Sequence, residues 1–154
     1  MAEFSANAVQ IVNPGESVVF TAGDNCPRGF VRHRKETGNF LLSGWVPRRI
    51  GCPCQSANTA EYYIDFGANI SIPTGGTVEE ISLALTVDGA TVPSSTMRVT
   101  PAAVEEYFNV SRAIDVSIWR NCCQTVTIRN TSTQPIQVES ANIIFSRPDL
   151  AVTY

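Results

Sequence analysis

Glu61–Gly89 reads EYYIDFGANISIPTGGTVEEISLALTVDG, and this stretch decides the fold. Its first run, Glu61–Ile72, is rich in the aromatic and β-branched residues that suit a pleated, half-buried surface. Pro73-Thr74-Gly75-Gly76 then turns the chain. The second run sets Ile81, Leu83, Leu85 and Val87 against Ser82, Ala84, Thr86 and Asp88. That period of two gives a strand with one face in a core and one more polar face. Val87-Asp88-Gly89-Ala90 closes the unit with another turn.

The same grammar extends in both directions. SVVFTAG (Ser17–Gly23) and NFLLSGW (Asn39–Trp45) read as strands upstream. Downstream, QTVTIRNTS (Gln124–Ser132) alternates Val126 and Ile128 with Thr125, Thr127 and Arg129. PIQVESANIIFSR (Pro135–Arg147) offers Ile136, Val138, Ala141, Ile143 and Phe145, and its change of phase near Ser140 predicts a β-bulge. Strands every ~8–12 residues with Gly, Pro and Asn turns between them predict an all-β sandwich or barrel. TPAAVEEYFNV (Thr100–Val110) has an N-cap candidate in Thr100 and Pro101 at a first helical position, but it returns at once to strand-like residues. Residues 1–7 and 148–154 read as N- and C-terminal arms around a domain spanning 8–147.

Composition narrows the function classes. At 154 residues, one domain can bury a core without staples. Charged residues are 16% of the chain, below the ~25% of an ordinary globular domain, and the formal net charge is -3. Low charge points to surface covered by other copies of the chain. The mild acidity argues against a nucleic-acid partner. No apolar run reaches the ~20 residues of a membrane span, so no membrane insertion is expected. No signal-peptide pattern opens the chain, and the cysteines (Cys26, Cys52, Cys54, Cys122, Cys123) are odd in number, so synthesis in a reducing cytosol with largely free thiols is the expectation.

Taken together, the order of strands resembles the tumour-necrosis-factor-like and complement globular-head jelly rolls. The resemblance is carried by Tyr63, Asp65 and Phe66 and by Ile81, Leu83, Val87 and Gly89, over roughly residues 8–147; Asn58–Glu61 stand where the family pattern has a glycine. It implies an all-β jelly-roll sandwich with three subunits around an axis. FVRHRKETGNFLLSGW, DFGANISIPTGG, VTPAAVEEYFNVS and RNTSTQPIQVESANIIF further resemble small proteins of phages and prophages of gut Firmicutes. That implies a virion-surface module, a fibre head or decoration protein, made in the cytoplasm of a bacterial host.

Four residue groups are candidates for chemistry or contact. Cys26, Cys52, Cys54 and His33 supply a Cys₃His ligand set for zinc, but the Cys-Pro-Cys spacing is short of the two to four intervening residues of paired ligands. The competing readings are a disulfide among the three cysteines and buried thiols. Cys122 and Cys123 are adjacent, so on a strand they face opposite ways. Cys26 or Cys52 could in principle be activated by His33, but no nucleophile elbow or Cys-proteinase signature surrounds it, and no enzyme activity and no cofactor are expected. It reads as a hydrogen-bonded strand residue, or as one of three copies ringing a threefold axis that could take a metal or anion.

Arg28, Arg32, Arg34, Lys35, Arg48 and Arg49 hold six of the eleven basic residues, suited to a solvated face, an acidic partner or a neighbouring subunit. Glu79, Glu80, Glu105 and Glu106 are the candidate acidic counterparts across such a boundary. Tyr62, Tyr63, Tyr107, Phe108 and Trp119 include rings that must point out of the sandwich, toward a trimer interface or a glycan. The expected function is therefore that of a homotrimeric phage virion component acting through multivalent attachment to other virion proteins, with a receptor- or glycan-binding fibre tip as the alternative.

Overall fold

A computed structural model describes residues 1–23, 29–46 and 58–148. Its strands are β1 (Ala2–Ala6), β2 (Gln10–Val12), β3 (Ala22–Gly23), β4 (Val31–His33), β5 (Phe40–Gly44), β6 (Thr59–Ser71), β7 (Ile81–Val87), β8 (Ala90–Thr91), β9 (Met97–Val99), β10 (Phe108–Trp119), β11 (Asn121–Asn130) and β12 (Ile136–Ser146). Two antiparallel six-stranded sheets result. The first runs β10-β6-β12-β1-β3 with β2 beside β12; the second runs β4-β5-β11-β7-β8 with β9 beside β7. Most neighbours are far apart in sequence, as in a jelly roll, where long connections interleave the strands of two sheets. No helix among the described residues is long and apolar enough to cross a membrane.

The core lies between the sheets. Phe4, Phe20, Phe40, Phe66 and Phe145 are fully buried with Tyr62, Ile64, Leu83 and Ile143. Each such side chain contributes about 1.5–3 kcal/mol through the apolar surface it removes from water. Phe40 is the hub, with ring centroids 4.9 Å from Phe4, 5.2 Å from Phe20 and 4.9 Å from Phe145. Several sequence expectations hold in detail. Asp88 and Gly89 both have positive φ (49° and 83°), so the β7–β8 hairpin turns through two left-handed residues, the geometry that matches strand twist. The bulge in β12 lies between Glu139 and Asn142, with Ser140 at φ 52°.

Four expectations need correction. Residues 1–7 are not an arm: β1 sits inside the first sheet, between β12 and β3, and Ala2, Phe4 and Ala6 are buried. Five residues carry too short an alternation to be recognised, and the pairing that secures them, Phe4 opposite Ile143, spans nearly the whole chain. Ser17–Gly23 is not one continuous strand. It keeps only isolated bridges, Ser17 to Arg129 and Phe20 to Thr37, before β3. A side chain takes the place of a strand partner there: Gln10 Oε1 accepts from Val19 N (2.8 Å) and its Nε2 donates to Val19 O (2.9 Å).

Strand β7 is more buried than its alternation implies, because Ala84 and Thr86 on the second face are also covered. The 3₁₀ turn Pro93–Ser95 is part of the packing against it; Ser95 Oγ accepts from Leu85 N at 2.9 Å. Finally, the strand begins only at Phe108, and the segment around 100–107, read as mostly strand, is a turn. It turns with Glu105 at φ 58° and is tied down by Glu105 N donating to Ile72 O at 2.8 Å.

Candidate functional site

The outward positions of β6 are Glu61, Tyr63, Asp65, Gly67 and Asn69, because Ala60, Tyr62, Ile64, Phe66 and Ala68 between them are buried. Register with β10 adds Ser117, Asp115, Ala113, Ser111 and Asn109 in the same order. Register with β12 adds Ser146, Ile144, Asn142 and Glu139, and β1 adds Glu3 and Ser5. These residues make one broad outer face of the first sheet. Small side chains at Gly67, Ser111 and Ala113 keep its centre low, and Tyr63 stands beside them, 40% exposed. Its partner in the pair, Tyr62, is 0% exposed. The structure therefore removes Tyr62 from the interface candidates: its OH donates to Ser43 O (2.6 Å) and Phe30 O (3.1 Å) inside the fold.

Charge on this face has one sign. Glu3, Glu61, Asp65, Asp115 and Glu139 occupy outward positions, and no Lys or Arg does on β1, β6, β10 or β12. Glu61 is held by Ser117 Oγ (2.7 Å) and Thr59 Oγ1 (2.7 Å), and Glu3 accepts from Asn142 Nδ2. At the top of the face the 100–107 segment folds over the sheet. Glu105 accepts from Thr74 N and Thr74 Oγ1, both at 2.9 Å, while Gln137 Nε2 donates to Glu105 and to the Tyr107 hydroxyl. Tyr107 and Phe108 are both partly exposed, rather than one in and one out. Phe108 lies at the first position of β10, where the sandwich no longer closes over it.

The basic group is only partly within view. Arg32 is outward on the edge strand β4, and Arg34 and Lys35 follow in the exposed β4–β5 turn; Arg28, Arg48 and Arg49 lie outside the described residues. The proposed acidic counterparts are engaged within the chain. Glu80 pairs with Arg98 (3.9 Å), Glu79 accepts from Thr133 Oγ1 (3.1 Å), Glu106 accepts from Ala102 N (3.1 Å), and Glu105 is tied as above.

His33 turns inward at the same edge. Its ring stacks on Phe40 (4.7 Å, 24°) and lies 5.0 Å from Phe4, and Nε2 donates to Thr37 O at 2.9 Å. That is the hydrogen-bonded strand histidine of the simpler reading. Among the described residues no cluster of His, Cys, Asp and Glu could hold a metal. The candidates Cys26, Cys52 and Cys54 lie outside the described residues, as does the side chain of Cys122. Cys123 is disulfide-bonded, so the expectation of free thiols fails at this residue; pairing depends on which cysteines meet in space, which spacing does not reveal.

One end of the sandwich carries both tryptophans. Pairing of Asn121 with Gly44 brings the β10–β11 hairpin beside the end of β5. Trp45 and Trp119 are 53% and 67% exposed there. Trp45 packs on the Phe30 ring at 5.8 Å, and the Arg147 guanidinium lies over Phe30 (5.1 Å) and Tyr62 (4.8 Å) while donating to Trp45 O. The outer acidic column and the placing of Trp45 beside Trp119, itself a sequence candidate, were missed by sequence reasoning. The only available signal was the spacing 61, 63, 65 on one strand, which acquires meaning once β10 is known to lie beside it.

No protein family and no curated protein matches the chain by sequence. Solved structures do. The chain is similar to the globular domain of zebrafish complement 1qA protein, at 13% identity over 93% of this chain and 94% of that one, with a TM-score of 0.54. It is similar to the Eiger TNF of S. frugiperda, at 12% identity over 99% of this chain and 93% of that one, with a TM-score of 0.60. A family 35 carbohydrate-binding module from an environmental isolate aligns at a TM-score of 0.40, 14% identity and coverage of 96% and 97%, a likeness too low to carry an argument. The fold of this chain is the jelly roll of the tumour-necrosis-factor and complement globular-head domains.

Proposed function

We propose that the chain is a non-enzymatic attachment module of a phage particle, a fibre head or decoration protein, which acts as a homotrimer through the outer face of the β10-β6-β12-β1 sheet. The observation that carries this reading is that face itself. It is broad and low, with Tyr63 and Ile144 beside the small residues Gly67, Ser111 and Ala113, and apart from the 100–107 segment at its top no described element of the chain packs over it. It is less apolar than the sequence runs imply, since Leu41 lies on the other sheet and Ile144 is half-buried. The resemblance to jelly rolls whose subunits pack around an axis supports the stoichiometry. An obligate contact of this kind buries about 2,000 Å² or more in total. Three copies on one rigid unit turn weak individual contacts into avid attachment. Immunogold imaging of particles from the source phage tests the role: label on the head or the fibres supports it, and particles without label overturn it.

A second reading, a glycan-binding fibre tip, is favoured by Trp45 and Trp119 at one end of the sandwich. Flat aromatic rings held in place before a ligand arrives are good platforms for one that is apolar on one side and polar at its rim. Specific signal on a glycan array, abolished by Trp45→Ala and Trp119→Ala together, supports this reading; an array without signal rejects it.

A further inference from the structure

The outer face of the first sheet and the β4–β5 turn carry charge of opposite sign, while elsewhere on the described surface the signs mix, as at Glu80 with Arg98 and at exposed Arg112 on the inward phase of β10. Asp65, Asp115 and Glu139 project from the outer face of the first sheet, and none of them meets a cation or a hydrogen-bond donor among the described residues. Asp65 and Asp115 are diagonal neighbours across the β6–β10 pairing, with Tyr63 and Ala113 at the other two corners. Such diagonals are about 7–8 Å apart, so the two carboxylates reinforce one another's field. On the second sheet, Arg32, Arg34 and Lys35 are exposed around the β4–β5 turn with no ion pair among the described residues. With Glu36 in the same turn, three cations less one carboxylate leave this edge at +2.

The two groups lie on opposite flanks. β10 and β6 lead the first sheet, whereas β4 ends the second, and His33 of β4 packs on Phe4 of β1 at the far side from β10. Symmetry then matters. A twofold dimer through the acidic face would place Asp65 and Asp115 against their own copies, because isologous contacts pair a patch with itself. Buried like charges without partners are strongly disfavoured. A head-to-tail ring instead sets one flank of each copy against the opposite flank of the next.

We propose that Arg32, Arg34 and Lys35 of one copy contact Asp65 and Asp115 of the next, and that this charge match selects a closed ring over a face-to-face dimer. The inference rests on the homotrimer reading above and adds the residues that set its register. Complementary charge of this kind fixes orientation and suppresses the wrong pairing.

Charge reversal tests it, read as the trimer dissociation constant by sedimentation equilibrium. Asp65→Lys with Asp115→Lys is expected to weaken the trimer at least tenfold, and so is the set Arg32→Glu, Arg34→Glu and Lys35→Glu. All five substitutions in one chain are expected to restore it to within about threefold of the original. Circular dichroism of each variant confirms folding, and the five-fold variant serves as the internal control. A trimer that persists with either set reversed, or a loss that the combined chain does not restore, overturns the charge match while leaving the trimer standing. A wild-type chain that is monomeric overturns both.

Discussion

Tyr62 and Tyr63 are adjacent and do opposite things. The Tyr62 hydroxyl links Phe30 O and Ser43 O, backbone carbonyls 32 and 19 residues away, and its ring receives Arg147. Phe30 O also accepts from Ser43 N, so Tyr62→Phe chiefly takes the hydroxyl donor from Ser43 O and is expected to cost about 1–2 kcal/mol of stability, measured by chemical denaturation. Tyr63→Ser is expected to leave the unfolding free energy of the isolated subunit within about 0.5 kcal/mol while weakening self-association. Alternation establishes that one of the pair faces out, and the two phases of EYYIDF differ: Tyr62 keeps company with Ile64 and Phe66, Tyr63 with Glu61 and Asp65. The acids on either side of Tyr63 marked it as the outward ring, a signal legible locally that the reading of the pair left unused. His33 shows the converse. The absence of a nucleophile signature around it pointed to a hydrogen-bonded strand residue, and its bond to Thr37 O and its stacking on Phe40 agree.

At the scale of elements, legibility follows the range of the forces. The bulge in β12 was readable because it is a local break in a period-two pattern. Ser140 holds a left-handed backbone there at φ 52°, so Ser140→Val is expected to cost about 1–2 kcal/mol and Ser140→Gly little or nothing, by the same denaturation measurement. β1 was not readable, because its alternation covers only Ala2, Phe4 and Ala6 and its pairing is with the last strand. Phe4 nonetheless contacts Phe40, Phe145 and His33. Phe4→Ala is therefore expected to destabilise the domain by about 3–5 kcal/mol, the range for an emptied aromatic site, whereas an arm would lose almost nothing. The segment Ser17–Phe20 defeated the strand reading for a chemical reason. Its Val19 backbone bonds are satisfied by the Gln10 side chain, and no propensity scale anticipates that.

For the whole molecule, two layers and a jelly-roll order were legible because turn residues and period-two runs repeat along the chain. The composition of the open face was not. Asp65 and Asp115 are fifty positions apart in sequence and meet only through the β6–β10 register. Acid pairs suggested by sequence proximity, Glu79–Glu80 and Glu105–Glu106, make contacts within their own chain. Salt separates the contributions. Raising ionic strength from 0.1 to 1 M shortens the screening length from about 10 to about 3 Å, so a ring held partly by charge is expected to loosen, as its sedimentation equilibrium would record. Light scattering of the purified chain at micromolar concentration tests the central claim most directly. The account predicts a particle of three times the chain mass, and a particle of one chain mass at every concentration would contradict it.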